Sequence, residues 1–289
     1  MTGVLNVYKE KGYTSHDVVA IIRRETKIKR IGHTGTLDPD ATGVLPICIG
    51  PATKFAQYIT SADKTYITEV ILGIETNTCD ISGEVIAKKD VNFDKNAISH
   101  VVNSFATRGE YMQVPPMFSA IKIGGKKLYE LARKGETLDI PARPVSIRSI
   151  KILDFLPQKY AFTIEVECSK GTYIRSLAAD IGRELGCGAT MGELERTQSG
   201  KFVLSTAKKL DEIKIALQNG LLRELIIPVD ELLPYPKIYV SEQELKLAIN
   251  GNPLPINNHL HTKVWVCSSQ KLIGLYANDG KKLRPEVML

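Results

Sequence analysis

The sequence predicts an α+β protein in two parts, and two observations carry this. Segments of strand period, clearest at 64–73 and 162–168, are interspersed with segments of helix period at 94–105 and 174–185. Pro228, Pro234 and Pro236 then crowd one short segment and mark a domain boundary. Beyond it, roughly fifty residues hold one helix and three short strands, a small β-rich module. With 289 residues and 43% hydrophobic side chains, the chain can bury a core in one large domain or two. A net charge of +6 suits a polyanionic partner. The five cysteines are scattered, with no C-x-x-C pair, which points to reduced, mostly buried thiols rather than a disulfide framework or a zinc site. The start, Met1-Thr2-Gly3-Val4-Leu5, lacks the features of a signal peptide, and no apolar run reaches the length of a membrane span. A cytoplasmic protein without membrane attachment is expected.

Val4 to Tyr8 is a short apolar strand, and Lys9 to Thr14 a turn. Ser15 suits the N-cap of the next helix, with Asp17 at the positive end of its dipole. Val18, Val19, Ile21 and Ile22 give that helix its apolar face. It ends in Arg23, Arg24, Lys27, Lys29 and Arg30, five cations in eight positions against one acid. Such a run is either a solvated helix end or a ramp of phosphate contacts.

The stretch Gly32 to Gly43, GHTGTLDPDATG, is too rich in Gly, Thr and Pro for a helix or central strand. Its flanks, Ile31, Leu37, Val44 and Leu45, are too apolar for a solvated tail. It reads as a loop pinned into the body with Asp38 at its centre, where Pro39 favours an extended backbone. A carboxylate held in a defined place is what a nucleophile needs. A lone Asp-Pro would be only a turn, but this stretch is longer than a turn requires.

Val44 to Ile49 is apolar, and Lys54 to Ile59 a short helix. Tyr66 opens a strand, where packing is its ordinary role. Asp80-Ile81-Ser82-Gly83 is a turn, and Gly109 to Pro116 is irregular. Ala120 to Leu128 forms a hairpin with a Gly124-Gly125 tip. Its cations Lys122, Lys126 and Lys127, with Arg133 and Lys134 after them, suit either an ordinary soluble hairpin or a clamp on a nucleic acid backbone.

Arg175 falls in the first turn of the helix that carries Ile174, Leu177, Ala178 and Ile181, where the dipole disfavours a cation. An arginine there asks for a carboxylate partner, which its planar fork can hold with two hydrogen bonds. Gly192 to Thr197 leads into a strand at 202–204, and 210–217 is helical. In the last module Ser241 and Glu244 form a capping box, with Val240 stapled onto Leu245. Strands follow at 263–267, 272–277 and 283–288, the last two joined by Asn278-Asp279-Gly280. His259 and His261 have no third ligand nearby and read as surface residues.

Several of these stretches together resemble the TruB-type tRNA pseudouridine synthases. Gly32 to Pro46, GHTGTLDPDATGVLP, is similar to the signature loop of that family. Support comes from Lys64-Thr65-Tyr66, from VPPMFSAIKIGGKKLYELARKG at 114–135 and from GTYIRSLAADIGRELG at 171–186. Gly12 to Asp17 is a further shared piece, and the order holds over essentially the whole chain. Two departures stand out: Lys9-Glu10 where the family has Lys-Pro, and Asp40 where Leu often follows Asp-Pro.

The resemblance implies a catalytic domain at 1–234 around a mixed, largely antiparallel sheet with flanking helices. It implies a thumb hairpin at about 109–140 and a compact PUA-like RNA-binding domain at 235–289. The implied activity is isomerisation of uridine to pseudouridine at position 55, in the T-arm stem-loop of tRNA, by a monomer without cofactor or metal. Asp38 is implied as nucleophile, Tyr66 as the ring stacked on the flipped uracil and an aid to proton transfer at C5, and Arg175 as the partner of Asp38. His33 is implied where the nucleotide leaves the RNA stack, and Tyr173 and Leu194 in the base pocket. Lys9, Lys122, Lys126 and Lys127 are taken as RNA contacts.

The chemistry suits these residue types. Attack at C1′, addition at C6 and removal of the 2′ proton all need an ionised Asp38. Burial raises its pKa, and an arginine within reach lowers it by roughly 1–3 units. Flipping the base costs a few kcal/mol, offset by stacking and backbone contacts. Two other readings stand beside this one. Asp38-Pro39-Asp40-Ala41-Thr42 also matches the D-x-D-x-T pattern of haloacid-dehalogenase-like phosphotransferases, which need Mg²⁺ and a continuous apolar strand before the first Asp; Gly32 to Thr36 occupies that place. A non-catalytic RNA-binding or RNA-folding protein would also account for the basic hairpin and the last module.

Overall fold

The centre of the molecule is one mixed sheet. The computed structural model describes all residues except 133, 137 and 256–260, and excepting the side chain of Lys127. Arg133 and His259 therefore lie outside the described residues. The strands that matter are β1 (Gly3–Lys9), β2 (Thr42–Ile49), β3 (Lys64–Leu72), β4 (Glu110–Gln113), β5 (Arg143–Leu156), β6 (Ala161–Cys168), β7 (Ala189–Ser199) and β8 (Ile226–Ile227). Their order across the sheet is β8-β1-β2-β7-β3-β6-β5-β4. All of these pairs are antiparallel except β2 with β7, joined in parallel at Glu195↔Thr42 and Arg196↔Gly43. The fold is α+β.

Helices α1 (Ser15–Thr26), α2 (Lys95–Thr107), α3 (Ile174–Glu184) and α4 (Leu210–Gln218) flank the sheet. The core joins Val18, Val19 and Ile22 of α1, Val102 and Phe105 of α2, and Leu177 and Ile181 of α3 to the buried face of the strands. Burial of each such side chain stabilises the fold by about 1.5–3 kcal/mol. The cap of α1 differs from expectation. Thr14, not Ser15, is the N-cap, forming a capping box with Asp17. Ser15 is turned inward, where its hydroxyl serves the loop at Leu37.

Three strands depart from the pattern in the sequence. Two β-bulges shift the alternation of β5, so its fourteen residues show no continuous period. β4 lies in the stretch expected to be irregular, at the sheet edge. β7 sits mid-sheet but carries a buried charge, Arg196, where strand patterning expects an apolar side chain.

Residues 237–288 form a second sheet, from β9 (Lys237–Tyr239), β10 (Leu254–Pro255), β11 (Lys263–Cys267), β12 (Leu272–Asn278) and β13 (Lys282–Met288), in the order β9-β11-β12-β13-β10. Helix α5 (Glu242–Ile249) starts with the Ser241–Glu244 capping box. Trp265 packs against Phe55 and Tyr235, joining this sheet to the larger one. No helix among the described residues is long and apolar enough to cross a membrane.

Candidate active site

The loop 34–41 leads into β2 where that strand pairs in parallel with β7, and its neighbours fix the two residues that bracket Asp38. On one side the Leu37 N–H donates to Ser15 Oγ at 2.9 Å, and that hydroxyl donates back to the Leu37 carbonyl at 3.2 Å. On the other, the Pro39 carbonyl accepts from the Gly12 N–H and from Lys9 Nζ, both at 2.9 Å. The Ala41 N–H closes the turn onto the Asp38 carbonyl at 3.1 Å. Gly43 has φ +104, and a Cβ there would lie 2.2 Å from the Arg196 carbonyl oxygen, so only glycine lets the loop enter β2 against β7.

The Lys9 expectation is corrected here. Lys9 is fully buried, and its ammonium donates to the carbonyls of Glu10, Tyr13 and Pro39. It cannot meet RNA from that position; it holds the Asp38 loop instead. Burial pushes its pKa down to about 8, against the attraction of Asp40 and Asp38.

Asp38 and Arg175 meet across the site. Arg175 Nε lies 3.0 Å from Asp38 Oδ2, and Nη2 donates to Oδ1 at 3.3 Å. The Arg175 side chain is 6% exposed and that of Asp38 42%, so the pair is rooted in the protein with its carboxylate at the opening. Arg175 also donates to the carbonyls of Thr78, at 3.3 Å, and Phe118, at 2.9 Å, and its Nε stands 3.7 Å from Asp80 Oδ2. One guanidinium thus ties together three loops. Withdrawal from water raises the Asp38 carboxyl above its usual range; Arg175 offsets part of this, while Asp80 and, more weakly, Asp40 add to it. Asp40 itself is exposed. Asp38 follows a loop rather than a continuous central strand, unlike the phosphotransferase pattern.

Tyr66 is buried in β3, opposite Arg196 of β7 and Val166 of β6. Burial raises its phenol pKa, Arg196 lowers it, and Asp38 is near enough to raise it again. Leu194, also buried, belongs to the same apolar cluster as Leu37, Ala41 and Tyr66. Tyr173 is the residue that caps α3, half-buried, its backbone exchanging hydrogen bonds with the Gln113 side chain at 2.8 and 3.1 Å. His33 stands half-buried at the start of the loop, where its Nδ1 accepts from the Gly35 N–H at 3.3 Å. Burial and then His16, whose ring lies 6.3 Å away, lower its pKa and favour the neutral ring.

The structure therefore pairs Asp38 with Arg175 and places Tyr66 and Tyr173 within electrostatic reach of Asp38, while Leu194 belongs to the core cluster that holds Tyr66 and His33 stands at the start of the loop. Lys122 and Lys126 stand apart from them, exposed on the hairpin whose Gly124 and Gly125 have φ +58 and +83. The side chain of Lys127 lies outside the described residues. Lys27, Lys29 and Arg30 at the end of α1 are exposed, whereas Arg23 donates to the Ile31 carbonyl. Sequence reasoning missed Asp80, taken for a turn residue only, and Arg196. A charged side chain at an in-phase position of a strand was the one signal for the latter.

Residues 23–174 match the model of the TruB family pseudouridylate synthase N-terminal domain, and 175–234 that of the tRNA pseudouridylate synthase B C-terminal domain. The tRNA pseudouridine synthase B of Alkaliphilus oremlandii is 47% identical over 91% of this chain and 86% of its own. That of Bacillus cytotoxicus is 48% identical over 87% of this chain and 83% of its own. Among solved structures, a chain in a Cbf5-Nop10-Gar1 complex superposes with a TM-score of 0.74 at 26% identity, covering 99% of this chain and 84% of that one. A chain in an archaeal box H/ACA sRNP Nop10-Cbf5 complex does so with 0.72 at 25% identity, covering 99% and 85%. The chain belongs to the TruB family of pseudouridylate synthases.

Proposed function

We propose that the chain isomerises uridine to pseudouridine at position 55 of tRNA, in the loop of the T arm, with Asp38 as the reacting anion. The observation that carries this reading is the Asp38–Arg175 pair, a carboxylate at the opening of a site and anchored by a buried guanidinium. The reaction breaks the N1–C1′ bond, turns the base and joins C5 to C1′; the proton lost from C5 is balanced by one gained at N1. It is redox-neutral and adds no water, so oriented side chains suffice. Arg175 keeps Asp38 available as an anion despite its partial burial. Tyr66 and Leu194 enclose the detached uracil, Tyr173 lines the pocket, and His33 guides the nucleotide out of its stack.

The exposed Lys122 and Lys126, with Lys27, Lys29 and Arg30, supply phosphate contacts. Residues 1–234 act as the catalytic domain, with the thumb at about 109–140, and 235–289 as a compact PUA-like RNA-binding domain. The test is incubation with an unmodified T-arm stem-loop, without added metal, followed by mapping of pseudouridine. One modified position, equivalent to 55, is expected. Folded protein that leaves this RNA unchanged, or modifies another uridine, overturns the reading.

A further inference from the structure

Arg196 is 1% exposed, in the middle of the sheet. Its Nε donates to the Val44 carbonyl at 2.7 Å and its Nη2 to the Gly35 carbonyl at 3.1 Å. These partners, on either side of the Asp38 loop, are backbone carbonyls rather than carboxylates. Among the described residues Arg196 makes no ion pair, and a buried guanidinium without a counter-charge is costly, so its retention at this point asks for a use. Its direct cross-strand neighbour is Tyr66, on the buried face of β3, and its charge favours the ionised phenol.

We propose that Arg196 is a positioning residue for Tyr66: it holds the phenol oxygen towards the site and stabilises its phenolate while Tyr66 carries a proton from C5 to N1. The proposal rests on the reading of the site as a uridine isomerase. Once C5 has bonded to C1′, that carbon still holds its hydrogen and N1 is short of one. The Tyr66 hydroxyl gives its proton to N1, leaving a phenolate. The phenolate then takes the proton from C5, the C–H electron pair returns to the ring, and Tyr66 ends as it began. No other reactant is needed.

The groups facing the phenol fit this role. Besides Arg196 from β7 they are Cys168 from β6 and Asp38 from the loop. Burial pushes the Cys168 thiol up to about 12, so it stays neutral. Asp38 opposes a second negative charge nearby. Arg196 is thus the facing group that favours the phenolate. The same side chain grips Gly35, three residues before Asp38, so Tyr66 and the loop are indexed to one rigid fork.

The experiment places 3,5-difluorotyrosine at 66 in the full chain and follows its ¹⁹F resonance against pH, in wild type, Arg196→Lys and Arg196→Gln. The Gln variant is expected to raise the titration midpoint by about 1–3 units, and the Lys variant by less. A folded Gln variant with an unchanged midpoint overturns the proposal. Should the Gln variant not fold, the Lys variant decides by turnover: with RNA deuterated at uridine C5, its isotope effect is expected to exceed that of wild type, because removal of the C5 proton has been slowed. A rate that falls with no change in isotope effect marks a merely structural role and overturns the proposal. The ¹⁹F titration uses no RNA, so its failure is distinct from a failure of wild type to form pseudouridine, which would reject the isomerase reading itself.

Discussion

Arg175 Nε lies 3.0 Å from Asp38 Oδ2, although the two residues are 137 positions apart in the chain. The same guanidinium holds the carbonyls of Thr78 and Phe118, so the candidate nucleophile, the loop that carries Asp80 and the base of the thumb share one anchor. Loss of that guanidinium would release all three segments at once.

Asp38→Asn keeps the shape of the side chain and removes its charge. Pseudouridine formation in a single-turnover assay should be lost, while RNA affinity in filter binding stays within a few-fold. An Asn variant that still converts uridine would remove Asp38 from its assigned role.

Arg175→Lys replaces a fork by a point charge that cannot serve Asp38, Thr78 and Phe118 together. Turnover should fall by about a hundredfold, and stability to urea by roughly 1–3 kcal/mol, since buried carbonyls lose a donor. A variant with full stability and turnover would show that the junction is dispensable.

The raised pKa of Asp38 has opposite consequences for stability and activity. With its folded-state value above the unfolded one, the folded chain keeps a proton that the unfolded chain has released. The stabilisation is full below the unfolded value of about 3.9 and is lost as pH rises through the folded value. Asp38→Asn should therefore gain melting temperature relative to wild type at neutral pH, and gain less near pH 4. Activity needs the anion, so the acid limb of kcat should lie above the ordinary carboxylate value. A difference in melting temperature that does not grow with pH contradicts this account.

Lys9→Met removes the strut under Pro39 without touching the surface. It should cost roughly 1–3 kcal/mol of stability by leaving buried carbonyls unpaired, and lower kcat as Asp38 loses its fixed place. RNA affinity should change by less than a few-fold. A large, salt-dependent loss of affinity would restore Lys9 as a phosphate contact.

Lys122→Glu combined with Lys126→Glu should do the reverse, weakening RNA binding while single-turnover rates at saturating RNA hold. The slope of log affinity against log salt should fall by about two if both lysines meet phosphates. An unchanged slope assigns the hairpin a role other than phosphate contact.

Much of this protein was legible in its sequence, because the decisive signals were local. The alternation at 64–73 and 162–168, the helix period at 94–105, the capping box at Ser241, and the Gly- and Pro-rich loop around Asp38 are set by neighbouring residues, and they appear in the structure as strands, helices and a pinned loop. The resemblance added the pairing of Asp38 with Arg175, which composition and period could not supply. What only the tertiary structure decided depends on distant partners. Lys9 looks like a solvent-facing cation in a turn, yet the fold closes carbonyls around it. Ser15 looks like a helix cap, yet it is spent on Leu37. Arg196 looks like a polar residue before a strand, yet it is buried at the centre of the sheet beside Tyr66. In each case a polar group is satisfied by a segment far along the chain, and no short-range pattern records such a partner.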